Sequence, residues 1–271
     1  MSDPPDLDAI RNPAEARLAM RRGRWTGPTT YKLPGYVQCN LVALPGADVD
    51  DFLLYCRRNP RACPVVDVTE AGAAEPRRVA PGADLRTDLP RYCVFEHGRL
   101  VASPHDVSDR WRGDTVGVLL GSSMSIDALI ERAGAAMSPQ IWVLRTAVET
   151  EPAGMFRGKL LVTMRLFTPA DAEIALRVTG EHPLCHGGPR HVGEPAEIGA
   201  ELARPVYGEP LDRIPDGLVP VFWDCGVTPQ QAALEGKVPW MVTHYPGHAF
   251  ITDRKPEELS PGYCTSAAPE A

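Results

Sequence analysis

The chain of 271 residues has no long hydrophobic run, no excess of basic residues and no closely paired cysteines. No apolar stretch approaches the ~20 residues that a transmembrane helix needs, so we expect no membrane span. The net charge of −7 argues against a nucleic-acid partner, because such proteins carry a basic surface. The seven cysteines include no CxxC pair, which argues against a structural zinc site and favours reduced thiols.

The first eight residues lack the features of a secretory signal. They are acidic and rich in proline, with neither a basic start nor an apolar centre. We therefore expect a cytoplasmic protein. Acidic enzymes of this size often form symmetric dimers, so a homodimer is the candidate assembly.

Apolar runs alternate with capped amphipathic segments, a pattern that predicts an α/β protein. Helix starts are predicted at Asn12-Pro13 and Thr168-Pro169, where a capping side chain precedes a proline, and at Asp48, whose helix would stop at Asn59-Pro60. Strands are predicted at residues 36–44, 63–68, 114–121, 142–146 and 159–167, with a hairpin about His97-Gly98.

The pattern changes after Gly134 and changes back near Pro220. Between these points a strand–helix–strand succession predicts a smaller α+β domain. We therefore predict a larger α/β domain, residues 1–140 and 213–271, with the smaller domain, residues 141–212, inserted in it.

Cys225 follows an apolar run and precedes Gly226 and a predicted helix start at Thr228-Pro229. A thiol just before the positive end of a helix should have a lowered pKa, which suits a nucleophile or an acid–base group. The alternative is a buried structural cysteine, the usual state of a free cysteine.

Two histidine clusters are candidates for chemistry. His248 lies in a turn four residues after His244 and close to Asp253, where it could act as a general base or as a hydrogen-bonded loop residue. The stretch from His182 to His191 holds three histidines and a cysteine in a loop rich in glycine and proline. We favour an anion-binding loop that presents His186 or His191, and zinc binding is the alternative.

Acidic and basic side chains gather in residues 67–91. Arg86 could bind a substrate carboxylate with its forked guanidinium, and Asp67, Glu70 and Asp88 could serve as a base or as ligands of an ammonium group. The alternative is a loop braced by its own salt bridges.

Further anion-binding groups are predicted at a strand-to-helix corner. Gly121 ends a buried run, and Ser122 and Ser123 open the next helix, where free backbone N–H groups can bind an anion. Arg145 and Arg165, next to predicted strand ends, are further candidates for a carboxylate clamp.

Several separate stretches occur in the order typical of one protein family. They are Gly35-Tyr36-Val37-Gln38 with Asn40-Leu41, Arg58-Asn59-Pro60, Cys63-Pro64, Asp67-Val68-Thr69-Glu70, residues 81–92, Phe222-Trp223, residues 225–230, Pro246-Gly247-His248 and residues 250–253. In these stretches the chain resembles the D-glutamate cyclase family, many of whose bacterial members are labelled hydro-lyases without an established substrate. The match spans residues 25–254.

The resemblance implies a larger three-layer α/β/α domain and a smaller two-layer domain. It also implies lyase chemistry that removes water, as when D-glutamate closes to 5-oxo-D-proline. Three positions depart from the family pattern: Ser122 and Asp224 stand where the family commonly has cysteine and alanine, and Cys39 where it has alanine.

From the residues and the resemblance together we predict metal-free acid–base catalysis on a small carboxylate, without a cofactor. The predicted catalytic residues are Cys225, His248, Glu70 and Asp67. The predicted substrate-binding residues are Asn40, Arg86, Asp88, Ser122, Ser123, His186, His191 and Thr228. Two alternatives stay open: a metal-dependent hydrolase or lyase that uses the histidines, and a carboxylate-binding protein without catalysis.

Overall fold

A computed structural model describes residues 10–259; the predictions for residues 1–8 and the seventh cysteine, Cys264, lie outside this range. The strands are β1 (Gln38–Pro45), β2 (Val65–Val68), β3 (Tyr92–Glu96), β4 (Arg99–Ala102), β5 (Thr115–Gly121), β6 (Trp142–Glu149), β7 (Lys159–Phe167), β8 (His191–Val192), β9 (Val219–Asp224), β10 (Trp240–His244) and β11 (Phe250–Ile251). The α-helices are α1 (Pro13–Arg21), α2 (Gly46–Arg58), α3 (Asp127–Arg132), α4 (Pro169–Gly180) and α5 (Thr228–Gly236). None of the helices in residues 10–259 has both the length and the apolar character needed to cross a membrane.

Two of the predicted helix starts are confirmed. The Asn12 side chain accepts a hydrogen bond from the Ala14 N–H at 2.8 Å, and the Thr168 hydroxyl accepts one from the Asp171 N–H at 3.2 Å. The cap predicted at Asp48 is wrong, because α2 already begins at Gly46, whose N–H donates to the Asp114 carbonyl at 2.8 Å.

The chain forms an α/β fold with two sheets, as predicted. The first sheet has seven strands in the order β2-β5-β1-β10-β3-β4, with β11 on β1, and the second has four in the order β6-β7-β9-β8. Every strand pair is antiparallel. In open sheets of parallel strands, ligands bind at the carboxyl ends of the strands. An antiparallel sheet has no such common end, so the position of a site has to come from the structure.

Each face of the first sheet carries a hydrophobic core. On one face Val42 belongs to a cluster that includes Phe52 of α2 and Phe222 of the second sheet. On the other face Leu41 belongs to a cluster that includes Leu85, which lies in an irregular segment between β2 and β3. The resemblance implied a helical layer on this side of the sheet. In the segment between β2 and β3, irregular chain without a helix packs on the core instead.

The strand β9 belongs to the second sheet, although the predicted boundary at residue 213 placed it in the larger domain. It pairs with β7 along its whole length, with Val219 opposite Phe167 and Asp224 opposite Val162. The chain therefore returns to the first sheet only at β10, and the four strands of the second sheet extend from Trp142 to Asp224.

The acid-and-arginine loop is closed by its own ion pairs. Asp88 has no exposed surface, and its carboxylate accepts two hydrogen bonds of 2.7 Å from Arg21 of α1 and one of 2.8 Å from the Asp84 N–H. Arg86 makes two side-chain bonds to Asp84 at 2.8 and 2.7 Å. The loop is braced in the way that the alternative interpretation described.

Replacing Asp88 with alanine should lower the free energy of unfolding by about 2 kcal/mol, because charge-assisted hydrogen bonds of a buried carboxylate are lost. The matched control is Arg86→Met, which breaks a partly exposed pair and should cost less than about 1 kcal/mol. Urea denaturation measures both losses. Equal losses in the two variants would contradict the bracing role of Asp88.

Candidate active site

A cavity of about 660 Å³ is lined by residues of both sheets. It is lined from the first sheet by Asn40, from the second by Thr163, and from the chain after β9 by Cys225. The corner after β5 adds Ser122 and Ser123, and the turn before β8 adds His186. Five of the predicted substrate-binding and catalytic residues therefore reach one cavity from elements that are far apart in sequence: Asn40, Ser122, Ser123, His186 and Cys225. His244, which was not among the predicted site residues, lines the same cavity.

Alternation along β1 builds the wall on the first sheet. Val42 and Leu44 pack in the core between the sheets, and Gln38 and Asn40 fall on the same side of the strand. The Asn40 amide donates to the Gly121 carbonyl at 3.0 Å. One face of a single strand therefore supplies the apolar core at one end and a polar cavity wall at the other.

The floor of the cavity is formed by the face of the second sheet that points away from the core shared with the first sheet. Val143 pairs with Thr163 across β6 and β7, and Thr163 alternates with Val162, which packs in the core. Cys225 follows β9 directly, donates its N–H to the Leu161 carbonyl at 3.0 Å and packs with Val143 and Leu161.

The thiol of Cys225 is protonated. As predicted, α5 begins at Thr228, and the Thr228 hydroxyl donates to the Cys225 carbonyl at 2.6 Å. The predicted lowering of the pKa is wrong: burial raises the pKa of the Cys225 thiol, and the opposing effects of the Thr163 hydroxyl and the Val227 N–H are smaller. The side chain is therefore a candidate proton donor.

Two glycines without room for a side chain hold the cavity walls together. A Cβ on Gly226 would lie 1.9 Å from the Asn40 amide nitrogen, and one on Gly121 would lie 1.6 Å from the Leu184 carbonyl oxygen. Gly226 thus joins the Cys225 segment to β1, and Gly121 joins the Ser122 corner to the turn that carries His186.

His186 is a buried, neutral imidazole. Its Nδ1 lies 2.5 Å from the Arg61 carbonyl oxygen, which an N–H at that position satisfies, so Nε2 is left as an acceptor. Burial lowers its pKa, and the Arg61 carbonyl and Asp224 oppose this effect only in part. A neutral imidazole with one fixed N–H can accept a proton at its other nitrogen.

His244 lines the cavity at the end of β10, but its position on the strand favours the other face of the sheet. It alternates with Thr243, which pairs with Val42, and so falls on the side of Trp240 and Val242 in the second core. Burial lowers the pKa of His244 to about 4, and its Nδ1 is buried without a hydrogen-bond partner.

His248 does not line the cavity, although its neighbours Pro246, Gly247 and Ala249 do. Its Nδ1 lies 2.9 Å from the Pro246 carbonyl oxygen, and its ring packs edge-on against Tyr245. Burial lowers the pKa of His248. Its predicted catalytic role has no support from its position.

The strand-to-helix corner has the predicted form. β5 ends at Gly121, a short 3-10 helix spans Ser123–Ile126, and α3 follows. The Ser122 hydroxyl accepts from the Met124 N–H at 3.3 Å, and both Ser122 and Ser123 are buried against the cavity.

The remaining predicted site residues lie away from the cavity. Asp67 is buried and accepts from the Val68 and Arg78 backbone N–H groups, at 2.9 and 3.2 Å. Glu70 is exposed and lies 3.8 Å from Arg77. His191 packs on Phe222 near the Glu194 carbonyl. Arg86, Asp88 and Thr228 have the structural contacts described above.

Sequence reasoning missed several residues that line the cavity. Gln38 and Thr163 are polar positions within apolar strands, and alternation with the core residues could have identified them. Tyr31 and Tyr207 come from irregular segments, for which no periodic signal exists, and Met124 lies in the short 3-10 helix after Ser122.

The histidine cluster is not assembled as a metal site. His186 contacts Arg61 and His191 contacts Glu194, in different surroundings. Within residues 10–259, no three His, Cys, Asp or Glu side chains are grouped so that they could hold a metal ion.

Comparisons with known proteins agree with the resemblance found in the sequence. The family model described as D-glutamate cyclase matches residues 116–253. A protein of Rubrobacter xylanophilus named "Putative hydro-lyase" is 45% identical over 251 residues, which cover 90% of this chain and 96% of that protein. A Bacillus subtilis protein of the same description is 42% identical over 254 residues, covering 92% and 98%. A nitrogen repressor-like protein of Methanococcus jannaschii, of known structure, covers 85% of this chain and 91% of its own at 11% identity, and its TM-score of 0.37 supports no conclusion.

The glycine contacts predict that small additions disturb the cavity. Gly226→Ala should displace the Asn40 amide, and Gly121→Ala should force backbone apart, each at a cost of about 1 to 3 kcal/mol in the free energy of unfolding. Gly113→Ala is the control, because a Cβ there would meet nothing within 4 Å. Chemical denaturation measures all three; a Gly226 variant as stable as the Gly113 variant would contradict the proposed contact.

His244 should make the protein less stable in acid. Its pKa is about 4 in the folded chain against the ordinary 6.5, so the unfolded chain takes up the proton first as the pH falls through this interval. We expect a loss of about 3 kcal/mol in unfolding free energy by pH ~4, and a smaller loss in His244→Gln. Urea unfolding at several pH values tests this, and identical pH profiles of the two proteins would refute it.

Proposed function

The chain belongs to the D-glutamate cyclase family, and from this premise we propose that it is a hydro-lyase acting on a small amino or hydroxy acid in the cavity that both sheets line. The observation that carries the proposal is that a protonated thiol, Cys225, and a neutral imidazole, His186, line one cavity together with Asn40 and two serines. Loss of water requires a proton donor and a proton acceptor at the same substrate.

The closure of D-glutamate to 5-oxo-D-proline illustrates how the two residues would share the proton transfers. A C–N bond forms between the amine and the side-chain carboxyl carbon, and a C–O bond of that carboxyl breaks. The nitrogen gives up two protons and the departing oxygen gains two, so that one water leaves. We assign the acceptance of a proton to His186 Nε2 and its delivery to the leaving oxygen to the Cys225 thiol.

Neutral polar groups of the lining can orient such a substrate by hydrogen bonds. Asn40 and Ser122 provide an amide and a hydroxyl in the same cavity as the thiol, and Cys225 and His186 stay uncharged because both are buried. The identity of the acid, its stereochemistry and metal-free catalysis are parts of the proposal. A cytoplasmic location and a homodimer stay predictions from the sequence.

Cys225→Ala should lower kcat by about 10²- to 10⁴-fold, the usual contribution of a general acid. The matched control is Cys93→Ala, a buried cysteine of β3 that lies in the core and not on the cavity. A screen of amino and hydroxy acids by mass spectrometry, read as loss or gain of water, identifies the substrate for the assay.

The same assay separates the alternatives. Turnover that survives exhaustive treatment with a chelator supports the metal-free reaction, and stoichiometric metal with loss of turnover on its removal favours the metal-dependent enzyme. Ligand-induced thermal shifts with no product from any acid would favour a carboxylate-binding protein. Full activity of Cys225→Ala would remove the thiol from the mechanism.

A further inference from the structure

Arg165 is a buried arginine next to a cavity that has no cation in its lining. Among the described residues that line the cavity, Glu209 is the only one with a formal charge, and it is exposed. A carboxylate that entered this cavity would lose water without meeting an opposite charge, which is costly. The proposed acid substrate therefore needs a cation from a residue that lies just outside the cavity lining.

Arg165 is placed to supply that charge. It follows Thr163 by two residues on β7, so both fall on the face of the second sheet that forms the cavity floor. Its Nη2 lies 3.9 Å from the sulfur of Met124, which lines the cavity. Burial raises the pKa of the Cys225 thiol and of Tyr31, two further lining residues, and the charge of Arg165 opposes this rise at both.

The hydrogen bonding of Arg165 is incomplete. Its Nη1 pairs with Asp127 Oδ1, but its Nε has no partner, and neither does Asp127 Oδ2. The other contacts of the guanidinium are to methionine sulfurs, which are weak acceptors, and to the Trp223 ring with Cζ 5.9 Å from the centroid. A buried guanidinium with five N–H donors normally finds more oxygen acceptors than this.

Two other ion pairs of the same chain, each with one buried partner, are complete. Arg190 makes two bonds to Asp224, at 2.7 and 2.6 Å. Arg17 makes two to Asp253, at 3.0 and 3.1 Å, and one of 2.8 Å to the Ile251 carbonyl. The Arg165 guanidinium therefore has an oxygen acceptor only at Nη1, and this incomplete ion pair is the one that lies beside the cavity.

We propose that Arg165 is the residue that binds the carboxylate of the substrate, and that Met124 separates it from the cavity until a ligand enters. Asp127 holds Nη1, and the substrate carboxylate occupies the side of the guanidinium that has no oxygen acceptor. This assignment rests on the proposed function for the substrate class, namely a small acid, but the charge that recognises the acid can be tested without turnover.

The test compares the alkylation of Cys225 by iodoacetate and by iodoacetamide, two reagents of similar size of which only the first carries a carboxylate. Peptide mass spectrometry gives the rate at Cys225 for each reagent, and the ratio of the rates reports a nearby cation. The variant is Arg165→Met combined with Asp127→Asn, which keeps the net charge and leaves no unpaired buried ion. Arg165→Lys keeps the charge without the fork.

We expect the preference for iodoacetate to fall by about tenfold in the double variant and to be largely kept in Arg165→Lys. Met124→Ala should raise it, because the wall is removed, and an unchanged ratio there would overturn the role of Met124. A double variant that unfolds at the wild-type temperature and keeps the wild-type ratio would overturn the proposal. A ratio that depends on Arg165 in a protein without turnover on any acid would instead refute the proposed function and leave the anion site standing.

Discussion

The contact between Gly226 and Asn40 determines where the cavity lies. The absence of a side chain at Gly226 lets the segment with Cys225 pass directly against a strand of the first sheet. Asn40 in turn bonds to the Gly121 carbonyl, and Gly121 touches the Leu184 backbone. Four pieces of chain from both sheets therefore meet at two glycines, and the cavity walls are fixed by backbone packing.

Burial at this junction determines the charge of the groups that could react. It raises the pKa of the Cys225 thiol and lowers the pKa of His186, so both are neutral. A neutral acid beside a neutral base is the pair that removal of water requires, because one donates and the other accepts without a change in the charge of the site. Arg165 adds the charge that an acid substrate requires, from behind Met124.

Local signals in the sequence predicted the parts of this site that depend on neighbouring residues. The start of α5 after Cys225 and the corner at Ser122 follow from proline, serine and the end of an apolar run. The direction in which the pKa of Cys225 shifts could not be predicted, because it depends on how deeply distant strands bury the thiol. The loop with Asp88 resembled a site because its charges are close in sequence, and only the fold shows that Arg21 of α1 satisfies them.

The most direct test of the account is a crystal structure with D-glutamate or another dicarboxylic amino acid bound at saturating concentration. We predict ligand density in the cavity that both sheets line, within hydrogen-bond distance of Asn40 and beside the Cys225 thiol. Density at the loop of Arg86 and Asp88, with that cavity empty of ligand, would contradict the account.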